Sequence, residues 1–208
     1  MHLQPEEIES ESFRIIEAEV GEHDWPKAEW QIVRRAIHTS ADFEYVQSMV
    51  MSDGAVEKAI EALKSGAGIV TDTNMALSGI SKPRLAPLGC PVSCHVADPD
   101  VAKQAKAEEI TRSVAAMRKA VADPDNRIFV IGNAPTALFE LLRLVDAGAA
   151  KPALIIGLPV GFVGAEESKN ALASDGHNIP FITNIGRKGG SNVAAAVVNA
   201  LTILASGN

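Results

Sequence analysis

The chain has 208 residues, of which 47% are apolar and 22% are charged, a composition typical of a globular protein with an ordinary core. This length predicts one domain over residues 1–208. The formal net charge is −7. It argues against nucleic acids and anionic membrane surfaces as partners, because both need a broad basic face.

Three sequence features predict a cytoplasmic protein. Cys90 and Cys94 cannot build the disulfide framework of a secreted domain. The acidic opening, residues 1–12, lacks the basic and apolar regions of a signal peptide. The longest uncharged stretches, 152–165 and 191–205, fall short of the ~18 apolar residues that span a bilayer.

The first third of the chain predicts three helices. Residues 5–20 mix apolar and acidic side chains in a loosely amphipathic pattern. Asp24 is the predicted N-cap of the next helix, which has a proline in its first turn. Asp53 is the predicted cap of a third helix, which closes on Gly66.

The rest of the chain alternates short apolar runs with helical stretches. The runs are continuous rather than alternating, which predicts strands buried on both faces, as in a parallel sheet. Strand–helix alternation predicts an α/β fold, a three-layer sandwich whose mainly parallel central sheet is flanked by helices. The predicted strands are 68–72, 91–96, 127–133, 153–159 and 181–186. The later predicted helices are 102–121, 136–147, 166–173 and 192–205.

Ligands of parallel sheets bind at the carboxyl ends of the strands, so the residues after each run are the candidates for a site. GNAPTA (132–137) resembles a degenerate dinucleotide fingerprint, but a plain tight turn explains it better. GRKGGS (186–191) joins two basic residues to glycines at a helix start. That combination favours anion binding over a solvated turn.

Two groups of side chains could carry other chemistry. Cys90, Cys94 and His95 lack the spacing and the fourth ligand of a metal site, so we predict no protein-bound metal. His38 ends an apolar helical face and is followed by polar residues. It is either a helix cap or a proton donor, since imidazole alone has an unperturbed pKa near neutrality.

Together these segments resemble the precorrin-8X methylmutase family, in the order in which that family carries them. The longest shared motifs are IGNAPTAL, PVGFVGA followed by ESK, and RKGGS. The matching segments are ES (11–12), RRAIHTSADFEY (34–45), GIVTDTNMALSGI (68–80), TRS (111–113), IGNAPTAL (131–138), PALIIGLPVGFVGAEESK (152–169) and GRKGGSNVAAAVVNAL (186–201).

The resemblance implies a 1,5-sigmatropic methyl shift from C-11 to C-12 of a late corrin precursor, giving hydrogenobyrinate or its cobalt counterpart. It implies no methyl donor, nucleotide or redox cofactor, with cobalt present only inside the substrate. The substrate is a tetrapyrrole polycarboxylate, and the enzyme is expected to be a homodimer. The segment after His38 is closer to the cobalt-dependent branch.

The resemblance also implies roles for individual residues. His38 matches the catalytic histidine, which protonates a ring nitrogen and recovers the proton after migration. Ser12 and Arg112 match substrate-contacting residues, although a plain helix residue and a surface ion pair are the alternatives. The expected carboxylate contacts are Gly132, Asn133, Thr136, Lys188, Gly189, Gly190 and Ser191. A corrinoid carrier and a nucleotide-dependent oxidoreductase remain competing hypotheses.

Overall fold

A computed structural model describes residues 5–174 and 177–207 of the chain; His2 and the rest of the opening tetrapeptide lie outside the described residues. The strands in the described residues are β1 Met49–Met51, β2 Gly68–Thr71, β3 Val92–Ser93, β4 Asn126–Ile131, β5 Leu154–Gly157 and β6 Phe181–Asn184. These six strands form one sheet in the order β1-β6-β5-β4-β2-β3. Every neighbouring pair is parallel except β1 with β6.

Helices cover both faces of the sheet, which confirms the predicted α/β fold with its mainly parallel sheet. A short 3₁₀ turn, Ala86–Leu88, follows the sixth helix. The helices are α1 Pro5–Val20, α2 Lys27–Ser40, α3 Tyr45–Ser48, α4 Ala55–Lys64, α5 Asn74–Gly79, α6 Lys82–Leu85, α7 Pro99–Ala107, α8 Arg112–Val121, α9 Pro135–Asp146, α10 Ala165–Ala173 and α11 Ser191–Ser206.

The core lies in two apolar layers, one on each face of the sheet. Alternate strand residues point to opposite faces, so Ile128 and Val130 of β4 join one layer while Phe129 and Ile131 join the other. The first layer packs against α2, α4 and α11. The second packs against α8, α9 and α10. Because both faces are covered, the strands carry the continuous apolar runs seen in the sequence.

Helix α11 connects the sheet to the outer helix α2. It carries no charged side chain and is buried over most of its surface, as expected for a helix between two layers. Its Val193, Val197 and Leu201 belong to the same layer as Ile32, Val33 and Ile37 of α2. This packing fixes the end of α2, which carries His38, relative to the strand ends.

Two predicted helix starts are wrong. The helix expected after an Asp24 cap begins at Lys27, with Pro26 at the N-cap, because the residue before a proline disfavours helical dihedrals. The helix expected after an Asp53 cap has Gly54 at its N-cap, with φ of 71° and no side-chain cap. Its predicted end is confirmed, since Gly66 adopts φ of 77° just after the last turn.

Two further differences concern the middle of the chain. The single helix predicted over 102–121 is two helices, because Glu109 takes a left-handed φ of 56°. Thr111 then caps α8 by accepting a hydrogen bond from the Val114 amide at 3.2 Å. Strand β1 was not predicted; it is three residues long and pairs antiparallel with β6, which makes the sheet mixed.

The strand order reverses between β2 and β4. The chain leaves β2 toward β3 on one side and returns to form β4 on the other side of β2. In open parallel sheets such a switch point opens a crevice at the carboxyl ends of the strands, where ligands bind. The strand order therefore predicts a ligand site at the turns after β2 and β4.

Candidate active site

The turns after β2, β4 and β5 meet the start of α11, which the turn after β6 precedes. Thr73, after β2, has its Oγ1 atom 2.8 Å from Oγ of Ser191. A Cβ atom on Gly132, after β4, would lie 2.7 Å from Cα of Ser191, so only glycine permits this approach. The Gly190 amide donates a 2.9 Å hydrogen bond to the carbonyl of Leu158, after β5.

The RKGGS turn owes its shape to its glycines. Gly189 and Gly190 have φ of 153° and 133°, which side chains rarely adopt. A Cβ atom on Gly189 would overlap the Leu158 carbonyl oxygen. Both glycines thus pack the turn against the loop after β5, and their predicted contact with a substrate carboxylate stays a prediction.

The switch point is closed by the buried carboxylate of Asp72. Its Oδ1 accepts a hydrogen bond from the Gly132 amide at 2.9 Å, and its Oδ2 accepts from Asn133 and Ala134 at 2.8 and 2.7 Å. Burial raises the pKa of Asp72, while the three amides act in the opposite direction. A substrate carboxylate or a nucleotide phosphate would have to compete with Asp72 for these amides, which weakens the dinucleotide interpretation of GNAPTA.

Lys188 of the RKGGS turn is paired with two carboxylates that follow α2. Its Nζ lies 2.6 Å from Oδ2 of Asp42 and 2.7 Å from Oε2 of Glu44. The hydrogen bonds to Asp42 and then Glu44 raise the pKa of Lys188, and the bond to Lys188 lowers the pKa of Asp42. These ion pairs hold the end of α2 against the RKGGS turn.

Lys169 lies behind the same turn and is buried. Its Nζ donates to the Lys188 carbonyl at 2.5 Å and to Oδ1 of Asn184 at 3.2 Å. Burial lowers the pKa of Lys169 to about 8, because desolvation disfavours the ammonium form. Lys188 is thus held at its backbone by Lys169 and at its side chain by Asp42.

His38 lies in the last turn of α2 and is half-buried. Its ring centroid is 5.1 Å from that of Phe13 of α1, at an interplanar angle of 56°. The guanidinium carbons of Arg34 and Arg35 lie 4.2 and 4.8 Å from the same Phe13 ring. Ser12, the residue before Phe13, donates to the Ile8 carbonyl at 2.8 Å within α1.

The remaining predicted residues lie around the turn after β4. Thr136 and Asn133 are exposed, and Arg112 is exposed at the first position of α8. The starts of α8 and α9 are joined by a 3.2 Å contact between the Oγ1 atoms of Thr111 and Thr136. Arg112 therefore begins a helix that is adjacent to the β4 turn.

Exposed apolar side chains cluster at this carboxyl edge. Phe162 and Val163, in the loop after β5, are 84% and 89% exposed, and Met75, after β2, is 72% exposed. An isolated exposed apolar residue is ordinary, but a concentrated set marks a binding surface. The large apolar side chains exposed at this edge are Phe43, Met75, Val160, Phe162, Val163 and Ile185.

Two clefts in the described part of the chain lie away from this edge. One, of about 980 Å³, is at the amino ends of the strands and is lined by Arg127, Pro180 and Phe181 among others. The other, of about 500 Å³, lies beside the start of α2, near Trp25. None of the predicted site residues lines either of these two clefts.

Sequence reasoning missed four residues that shape the site: Asp72, Lys169, Asp42 and Phe13. A signal existed for Lys169, because its helical spacing from the apolar residues Ala165 and Leu172 places it on the same helix face, which is the buried face in the structure. An acid directly after a buried strand was also a signal for Asp72. The partners of Asp42 and Phe13 are remote in sequence, and no local pattern announces them.

Cys90 is buried with its Sγ 3.2 Å from the Leu63 carbonyl, and Cys94 is a free, half-buried thiol. Within residues 5–174 and 177–207 no group of three or more His, Cys, Asp or Glu side chains is arranged to hold a metal ion. No helix in those residues has the length and apolarity to cross a bilayer.

The fold and the site define a mainly parallel α/β protein. Its polar and apolar candidate site residues lie at the carboxyl edge of the sheet. The family model described as precorrin-8X methylmutase matches residues 7–204. The cobalt-precorrin-8 methylmutase of Priestia megaterium is 48% identical, covering 98% of this chain and 89% of that protein. The cobalt-precorrin-8 methylmutase of Salmonella typhimurium is 46% identical, covering 95% of this chain and 94% of that protein.

A solved structure is also similar. The precorrin-8x methyl mutase of Thermus thermophilus superposes with a TM-score of 0.90 at 42% identity, covering 97% of both chains. The chain belongs to the precorrin-8X methylmutase family. It is therefore an intramolecular methyl-transferring isomerase of cobalamin biosynthesis.

Replacing Asp72 by Asn tests the closure of the switch point. The amide nitrogen of Asn cannot accept from the β4 turn, so we expect the free energy of unfolding to fall by about 2–4 kcal/mol. Denaturant titration measures this. Asp123→Asn is the matched control, since its carboxylate accepts one exposed turn amide, and it should change stability by less than ~0.5 kcal/mol. Equal stability of the two variants would contradict the assigned role of Asp72.

Replacing Lys169 by Met tests the buried ammonium. Below pH 8 the lysine is charged in both folded and unfolded chains. Between pH 8 and 10.5 the unfolded chain binds more protons, because burial lowers the folded pKa to about 8 from 10.5. The stability of the wild type relative to Lys169→Met should rise across that window by roughly 3 kcal/mol. Denaturant titrations at several pH values, with Lys58→Met as an exposed control, measure it, and parallel curves would contradict it.

Proposed function

We propose that the chain moves the methyl group from C-11 to C-12 of precorrin-8X or cobalt-precorrin-8, giving hydrogenobyrinate or cobyrinate. Family membership over residues 7–204 supports the reaction type. The names of the Priestia megaterium and Salmonella typhimurium relatives support the cobalt-containing substrate. Cobalt then enters as part of the substrate.

His38 acts as the general acid in this proposal. Its imidazole donates a proton to a ring nitrogen, which draws electron density away from C-11. The bond from C-11 to the methyl carbon breaks as the bond to C-12 forms, and the proton then returns to His38. A well-placed general acid contributes typically ~10²–10⁴-fold in rate. The contact with Phe13 supports a fixed ring orientation.

The observation that carries the proposal is the junction between α2 and the RKGGS turn. Asp42 follows His38 by four residues and pairs with Lys188 at 2.6 Å. The proposed proton donor is therefore tied to the turn proposed to bind carboxylates. Ser191 extends this contact to Thr73 after β2, which supports one continuous substrate surface along the carboxyl edge.

The substrate contacts are proposed residue by residue. Arg112 pairs with a peripheral carboxylate of the substrate. Asn133 and Thr136 contact the substrate with their exposed side chains. The backbone amide of Asn133 is not available, because it donates a hydrogen bond to Asp72. Ser12 contacts the polar edge near His38. The remaining proposed contacts are Lys188, Gly189, Gly190 and Ser191, together with Gly132, whose amide would be shared between Asp72 and a substrate carboxylate.

A homodimer completes the proposal. Binding sites for ligands of this size enclose most of the ligand surface, and none of the predicted site residues lines either of the two clefts described above. Exposed Met75, Val163 and Ile185 at the same edge support a second copy as the missing wall. Two free cysteines favour the reducing cytoplasm as the location.

The reaction is tested with His38→Ala. The wild type should convert the purified precursor to product, seen as a change in the visible spectrum. The variant should lose at least ~10²-fold in rate yet still bind the coloured product, because the carboxylate contacts remain. A corrinoid carrier would bind the precursor without any spectral conversion by the wild type.

The matched control is His177→Ala, at the amino edge beside Asp146, which should keep wild-type rates. Full turnover by His38→Ala would remove His38 from the mechanism. Loss of product binding in His38→Ala would instead indicate that the histidine holds the substrate rather than protonating it.

A further inference from the structure

Phe162 and Arg187 join the loop after β5 to the RKGGS turn. The guanidinium carbon of Arg187 lies 5.6 Å from the centroid of the Phe162 ring. The backbones are joined as well, because the Gly161 amide donates to the Arg187 carbonyl at 3.1 Å. The Arg187 side chain is 63% exposed and Phe162 is 84% exposed. A planar cation and an aromatic ring are thus held together at the surface of the candidate site.

The two basic residues of the RKGGS turn differ in how far their charge is neutralised. Lys188 has carboxylates at 2.6 and 2.7 Å. Arg187 has Glu166 at 3.9 Å, a distance too long for a hydrogen bond. An exposed ion pair at that distance is weak. Glu166 therefore reduces the positive potential of Arg187 only slightly, and the guanidinium can still pair with an incoming anion. The family resemblance implied Lys188, but not Arg187, among the expected carboxylate contacts.

The Phe162 side chain does not pack in the core of the fold. It lies between β5 and α10 and contributes to neither apolar layer of the core. Exposed aromatic rings are stabilised by flat apolar partners. The ring is adjacent to the least neutralised cation of the turn, so a partner that is both flat and anionic satisfies both residues.

We propose that Arg187 and Phe162 form one substrate-recognition element, which rests on the proposed function. The Phe162 ring packs against the macrocycle, and the Arg187 guanidinium pairs with one peripheral carboxylate. Arginine suits this role because its fork binds a carboxylate through two hydrogen bonds while its face stays on the ring. Arg187 then supplies most of the free positive charge of the turn, while Lys188, besides its proposed contact, holds the turn against α2 through its two ion pairs.

The test measures the affinity of purified full-length variants for hydrogenobyrinate by visible-spectrum titration. Arg187→Met should raise Kd about 10-fold, as expected for a lost charge-assisted hydrogen bond. Phe162→Ala should also raise Kd about 10-fold, and Phe162→Tyr, which keeps the ring, should stay within about 2-fold of wild type.

A second probe separates charge from packing. For hydrogenobyrinate whose carboxylates are converted to amides, Arg187→Met should change Kd by less than about 2-fold, because no anion remains to pair with. Phe162→Ala should still weaken the binding of this amide. Arg127→Met, an exposed arginine at the opposite edge of the sheet, is the control for lost charge and should bind both probes like wild type.

Two results would overturn the inference. One is an unchanged Kd for the acid in Arg187→Met and Phe162→Ala. The other is a change of oligomeric state in Phe162→Ala, measured by sedimentation, with Kd unchanged; Phe162 would then serve subunit contact. Turnover by the wild type reports separately on the proposed function, since its absence overturns that function whatever the two variants bind.

Discussion

The Asp72 carboxylate occupies the backbone amides at the point where the strand order reverses. Parallel α/β sheets offer backbone amides at the point where strand order reverses, and many ligands are held there. Here the Asp72 carboxylate accepts hydrogen bonds from three of those amides, which belong to Gly132, Asn133 and Ala134. Such a buried acceptor satisfies donors that would otherwise be left without partners. The Asp72 hydrogen bonds therefore stabilise the reversal point, and the candidate site residues lie on the neighbouring turns as well.

Those turns are held by a second set of contacts centred on one residue. Lys188 is fixed at its carbonyl by buried Lys169 and at its ammonium by Asp42 and Glu44. The same contacts restrain the end of α2, so that His38 and the start of α11 keep a fixed relation. Pre-organised polar groups of this kind need little rearrangement when charge moves in a reaction. The surrounding surface is apolar and exposed, which suits a large flat ligand and a second subunit.

The sequence predicted the layers well because burial on both faces leaves continuous apolar runs, as in Ile128–Ile131 of β4. It also predicted that the glycine-rich turns would converge, since parallel strands end at one edge. It failed where the decisive partner is remote. The two acidic partners of Lys188, Asp42 and Glu44, lie over 140 residues earlier in the chain, and no local pattern indicates them. Strand β1 was missed because three residues carry too little pattern.

The central claim is that a macrocycle occupies the carboxyl edge with His38 at one of its nitrogens. A crystal structure of the protein with bound hydrogenobyrinate tests it most directly. The account predicts one ring nitrogen of His38 within about 3.2 Å of the tetrapyrrole core, with Arg187 at a peripheral carboxylate. A product molecule seated instead in the cleft at the amino edge, beside Arg127 and Phe181, would contradict it.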